Sequence, residues 1–116
     1  MIKILLVEKN LILSDTLTNL LNQDKELDVV GICKEGNEAI DFLTNNPVDV
    51  IVIDPNQSNG FVITVQITKE FPNTKIIGFS ADGQNSKKRM LEFGAVNHLS
   101  KYDTSLKELI TEIKKI

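Results

Sequence analysis

The chain has a single cysteine, Cys33, and a single histidine, His98. One cysteine excludes an internal disulfide framework and a cysteine-rich zinc site. One histidine beside one cysteine leaves no multi-histidine or Cys/His metal constellation. No apolar run reaches the roughly 20 residues that cross a bilayer as a helix. The opening Met-Ile-Lys-Ile-Leu-Leu-Val turns polar too soon for the core of a signal peptide. Positive charge is not in excess: 13 Lys and Arg stand against 16 Asp and Glu, a net charge of -3. That balance argues against this domain gripping nucleic acid or an anionic membrane, because phosphate contacts need a basic face. No internal repeat, linker or low-complexity stretch is visible. With 41% hydrophobic and 25% charged residues, wholesale disorder is excluded too. The 116 residues fit one domain, 1–116, expected to be soluble, acidic and cytoplasmic.

Short apolar runs alternate with longer amphipathic ones. Ile2 to Val7 is the first strand candidate. Asn10 is a good helix N-cap, and Leu11, Leu13, Leu17, Leu20 and Leu21 follow close to one helical face. Leu27 to Cys33 is the second strand. Glu35-Gly36-Asn37 leads into a helix through Ala39, Ile40 and Leu43, stopped at Asn45-Asn46-Pro47. Val48 to Ile53 is nearly continuous in β-branched residues, as a strand covered on both faces requires. A turn-rich loop spans Asp54 to Gly60, and Phe61 to Phe71 is helical by period. Ile76 to Phe79 is the fourth strand, with the loop Ser80 to Gly83 after it. Asn85 to Phe93 is the next helix, with Gly94 in place to end it. Val96 to Leu99 is a fifth strand, and Leu106 to Ile116 a last amphipathic helix. Five strand-helix pairs predict an α/β fold: a five-stranded parallel sheet, flavodoxin-like, in the order 2-1-3-4-5, with helices on both faces.

In such a sheet chemistry gathers at the carboxyl ends of the strands. Those ends carry Glu8-Lys9, Asp54, Ser80 and, just past the fifth strand, Lys101. Taken singly, Asp54 before Pro55 reads equally as turn chemistry, Ser80 as a turn residue and Lys101 as a solvated charge. Together they supply an acceptor carboxylate, a hydroxyl donor and a cation, a set suited to holding a phosphoryl group.

The ordered set resembles the receiver domain of two-component response regulators over essentially the whole chain. The residues that carry it are Ile-Lys-Ile-Leu-Leu-Val, Val-Val-Gly-Ile-Cys-Lys-Glu-Gly-Asn-Glu-Ala-Ile from Val29, and Pro-Val-Asp-Val-Ile-Val-Ile-Asp ending at Asp54. Ser80-Ala81, Gly94-Ala95 and Leu99-Ser100-Lys101 complete it. The Val-Val-Gly and the non-proline residue after Lys101 are most like receivers that precede a LuxR/NarL-type helix-turn-helix. The resemblance implies that Asp54 is the phosphoacceptor, Ser80 the hydroxyl that follows the phosphoryl group and Lys101 its cation. It places Glu8 and Lys9 at an acidic pair that holds Mg²⁺ together with Asp54 and the carbonyl at Asn56, and His98 at a switch position that is commonly Tyr or Phe.

Two departures weaken that picture. Lys9 replaces the second acid of the pair, and a lysine offers no acceptor to Mg²⁺, which wants hard oxygen ligands. Its ammonium is expected in the pocket, beside Glu8 or Asp54, in the cation's place. The loop after Asp54 lacks a Met-Pro pair and reaches Gly60 early, which puts the Asn56 ligand in question. Mg²⁺ binding is therefore expected to be weak or lost. His98 reads as a partly exposed strand residue without a task, or as an imidazole sensitive to pH near neutrality. Cys33 reads as a small core residue, and Lys87-Lys88-Arg89 as a solvated face or a docking patch.

The function expected is that of an atypical receiver, not an enzyme, acting through protein contacts on the face of its fourth helix, fifth strand and fifth helix. The partner implied is an output domain or another protein, with transcription as one output, and a homodimer is left open. The alternative is an ordinary receiver taking phosphate on Asp54 from a histidine kinase. A flavodoxin-like enzyme or cofactor binder is the remote third reading, since Glu8-Lys9-Asn10-Leu11 is no phosphate cradle.

Overall fold

The structure, a computed structural model, describes residues 1–57, 59–82 and 84–116. The turn readings at Ser58 and Gly83 lie outside the described residues. Five strands, β1 (Ile2–Val7), β2 (Leu27–Cys33), β3 (Val50–Ile53), β4 (Lys75–Ser80) and β5 (Asn97–Ser100), alternate with five helices. The helices are α1 (Leu11–Leu21), α2 (Gly36–Asn45), α3 (Gly60–Glu70), α4 (Gln84–Glu92) and α5 (Leu106–Lys114). The strands form one parallel sheet in the order β2-β1-β3-β4-β5, as the alternation predicts.

Side chains alternate across a strand, so each buried strand feeds two cores. Leu5, Val7, Ile51 and Ile53 pack with Ala39, Leu43, Ile63, Ile67 and Met90 on one side of the sheet. Ile4, Leu6, Val50, Val52, Ile77 and Phe79 pack with Leu17, Leu21, Leu109 and Ile113 on the other. All four residues of β3 are buried, which is why its sequence is apolar without interruption.

Local chemistry sets the helix ends. Asn10 Oδ1 accepts from the Leu13 N–H at 3.2 Å and caps α1. Ser105 and Glu108 form a capping box at the start of α5. Gly94 has φ +115° beyond α4, and the Gly94 and Ala95 amides donate back to Leu91 and Met90. That is a Schellman ending, and its left-handed residue favours glycine. Element ends shift from the expected ones by one or two residues. Val48 and Asp49 lie outside β3, although Asp49 still exchanges backbone hydrogen bonds with Lys3 and Lys75.

Candidate functional site

The carboxyl ends of β1, β3, β4 and β5 meet at one rim, and Glu8, Asp54, Ser80 and Lys101 gather there. Glu8 and Asp54 leave neighbouring strands at matched height, since Val7 pairs with Ile53. Both are buried, at 5% and 6% exposure. Lys101 Nζ lies 2.6 Å from Glu8 Oε1 and 2.7 Å from Asp54 Oδ2, so one ammonium clasps both carboxylates. Burial pulls the Lys101 ammonium toward lower pKa, but hydrogen bonds to Asp54 and Glu8 outweigh it and hold the group above its ordinary range. The remaining oxygens are also engaged: Asp54 Oδ1 accepts from the Asn56 N–H at 2.9 Å, and Glu8 Oε2 from the Asn10 N–H at 2.9 Å.

Lys9 corrects the expectation that its ammonium fills the pocket. The residue is exposed, and its side chain makes no ion pair among the described residues. Its backbone N–H donates to Gln57 Oε1 at 2.7 Å. That bond holds the backbone of residue 9 against the neighbouring loop, while the lysine side chain itself is left at the surface. The cation at the acid pair is Lys101 instead.

His98 also departs from the partly exposed residue expected. It is buried, at 3% exposure, and its Nε2 lies 2.8 Å from Ser80 Oγ. Burial lowers its pKa, with Lys87 acting the same way and Asp82 and Asp54 opposing. This moves the imidazole away from titration near neutrality. Ser80 Oγ donates to Asp82 Oδ1 at 2.6 Å, and Ser86 Oγ donates to Asp82 Oδ2 at 2.7 Å. Asn56 Nδ2 donates to Ser86 Oγ at 3.2 Å, so its side chain ties the β3–α3 loop to α4. Sequence reasoning missed Asp82, Ser86 and Gln57. The signal for Asp82 was its place two residues beyond Ser80, where a carboxylate can fold back on a strand-end hydroxyl.

Cys33 is buried, and burial with the nearby Glu38 carboxylate pushes its thiol up to about 11, which leaves it unreactive. In the basic run, Arg89 is exposed, and its guanidinium sits 3.9 Å from the Phe61 ring centre, so it stacks on a ring while remaining at the surface.

Glu8 and Asp54 are two carboxylates at the rim that could offer oxygens to Mg²⁺, and Lys101 already holds one oxygen of each, so a cation there would have to displace an ammonium. No described helix is long and apolar enough to cross a membrane.

Comparison with known proteins agrees with this geometry. The chain is 33% identical to a protein-glutamate methylesterase/protein-glutamine glutaminase of Syntrophus aciditrophicus, over 98% of this chain and 36% of that protein. It is 26% identical to the oxygen regulatory protein NreC of Staphylococcus epidermidis, over 85% of this chain and 47% of the relative. The chain thus spans about a third of the length of the methylesterases it matches and about half of NreC. Among solved structures, the response regulator domain of Thermotoga maritima CheB superposes with a TM-score of 0.87 at 26% identity, covering 99% of this chain and 95% of that one. The signal receiver domain of the NarL regulator from Mycobacterium tuberculosis shares the fold, with a TM-score of 0.89 at 18% identity over 98% and 94% of the two chains. Residues 4–114 match the family model of the response regulator receiver domain, and with the strand-end set of Glu8, Asp54, Ser80 and Lys101 in place this chain belongs to that family.

Proposed function

We propose that this receiver works as an atypical one, in which Mg²⁺-dependent phosphorylation of Asp54 is weak or lost and signalling runs through protein contacts. The observation that carries this reading is the Lys101 clasp on both Glu8 and Asp54. A divalent cation needs these same oxygens and has to displace an ammonium already seated on them. Lys9, exposed where the family has a second acid, adds no oxygen in compensation. On this reading the domain itself catalyses nothing. Its partners are an output domain or another protein, a second copy included, and its place is the cytoplasm. The face of α4, β5 and α5 is the one this reading assigns to such contacts, and Leu91 in α4 and Val96 and Tyr102 on either side of β5 are exposed apolar or aromatic residues in that part of the chain. A protein-glutamate methylesterase and an oxygen regulatory protein both occur among the relatives, and a methylesterase or a transcriptional output either suits a longer protein built on this domain.

A second reading has its own support. Asp54, Ser80 and Lys101 all stand at the rim, the residues an ordinary receiver uses to take phosphate from a histidine kinase. Intact mass after acetyl phosphate treatment separates the two. Wild type is expected to gain phosphate slowly or not at all, with little dependence on Mg²⁺. Lys9→Asp restores the acid pair and is expected to restore Mg²⁺-dependent labelling, which Asp54→Ala abolishes. Ready labelling of wild type in Mg²⁺, lost in Asp54→Ala, establishes the ordinary receiver instead.

A further inference from the structure

We propose that Asp82 is a positioning residue that holds the Ser80 hydroxyl away from any acceptor on Asp54, with His98 fixed behind it as the donor to Ser80. This rests on reading Asp54 as the site of the phosphoryl group.

Counting hydrogens carries the argument. Ser80 Oγ has one hydrogen and lies 2.6 Å from Asp82 Oδ1 and 2.8 Å from His98 Nε2. An ionised carboxylate only accepts, so the hydroxyl hydrogen goes to Asp82. Burial opposes ionisation of Asp82, but hydrogen bonds from Ser80, Ser86 and Asn56 outweigh it and keep the carboxyl below its usual range. His98 Nε2 must then carry a proton and donate it to Ser80. The other ring nitrogen, Nδ1, is left bare, and it is the one buried side-chain polar atom without a partner among the described residues. It faces the Cα of Gly78, where a side chain would overlap it. The ring is thereby held in one tautomer and one place.

The same carboxylate engages α4 through its second oxygen, at Ser86, and Ser86 is bonded to Asn56 two residues beyond Asp54. A phosphoryl oxygen that takes the Ser80 hydrogen must therefore break a charge-assisted bond whose acceptor also tethers the start of α4. Asp82, itself exposed at the rim, is the chain's own anion already occupying the hydroxyl that an incoming anion needs.

The test has two arms. In the unmodified protein, nitrogen-15 spectra of His98 and exchange of the Ser80 hydroxyl proton are read for wild type, Asp82→Ala and Ser86→Ala. The expected result is an Nε2-protonated His98 in wild type, hydroxyl exchange about tenfold faster in Asp82→Ala, and exchange within about twofold of wild type in Ser86→Ala. A proton on Nδ1 in wild type, or unchanged exchange in Asp82→Ala, overturns the proposal. The second arm measures acetyl phosphate labelling in the Lys9→Asp background, where Asp82→Ala is expected to label several-fold faster and Ser86→Ala at the parent rate. Equal rates for Lys9→Asp with and without Asp82→Ala overturn the competition. If Lys9→Asp does not label at all while Asp82→Ala still frees the hydroxyl, the reading of Asp54 as acceptor fails, and with it the competition, although the holding bond stands.

Discussion

Gly78 and His98 are register partners on β4 and β5, and the imidazole occupies the space that a Cβ on residue 78 would take. A glycine inside a strand weakens it, yet here its bare face admits the one histidine of the chain to the buried rim. Gly78→Ala is expected to cost about 1–3 kcal/mol, because the methyl pushes the ring out of a packed core. In a His98→Ala background the same change should cost much less. Chemical denaturation of the four proteins in this cycle checks it, and additive losses refute the pairing.

His98 also sets a pH dependence. Its pKa in the folded protein lies below the ordinary 6.5. The neutral ring is thus the one the fold accepts. Its contribution to stability is complete above the unfolded value and declines as pH falls below it, toward the folded value. The loss has a ceiling of about 1.4 kcal/mol per pH unit for one proton. Denaturation midpoints of wild type and His98→Gln between mildly acidic and neutral pH should therefore diverge on the acid side. Parallel curves contradict it.

Removing the clasp should be costly. Lys101→Met leaves Glu8 and Asp54 buried as neighbouring like charges, and a loss of about 2 kcal/mol is expected. Chemical denaturation of wild type and Lys101→Met checks it, and an unchanged midpoint means that the clasp contributes nothing to stability.

Lys9→Ala is expected to shift stability by no more than about 0.5 kcal/mol, as for a surface residue without a partner. A loss near 1 kcal/mol in the denaturation midpoint places the ammonium at the acid pair after all.

The strands, their order and the strand-end residues were legible because periodicity and β-branched runs report burial directly. Val50 to Ile53 reads as a central strand from its side chains alone, and Asp54 then falls at the rim by counting. What the sequence does not carry is the direction of a side chain in a loop. Lys9 follows Glu8 immediately, yet its side chain is exposed while its backbone N–H is bonded to Gln57, from a loop 48 residues away. His98 was obscure for a similar reason. Its neighbours Gly78, Ser80 and Asp82 are remote in sequence, and only the β4–β5 register brings them together. Gly78 within an apolar run was the available sign of a close approach across the sheet.

The Lys101 clasp joins the last strand of the chain to the first. During synthesis, Glu8 and Asp54 are both made well before residue 101 emerges, and until then their charges repel one another without a counterion. A partial sheet of β1, β2 and β3 thus carries an electrostatic penalty that only the arrival of β5 removes. That penalty disfavours a half-finished domain and couples the edge strand to the centre of the sheet. Any event that takes Lys101 away from the acids removes a tie that reaches past β4 to the centre of the sheet, and leaves β5 held by its pairing with β4 alone at that end.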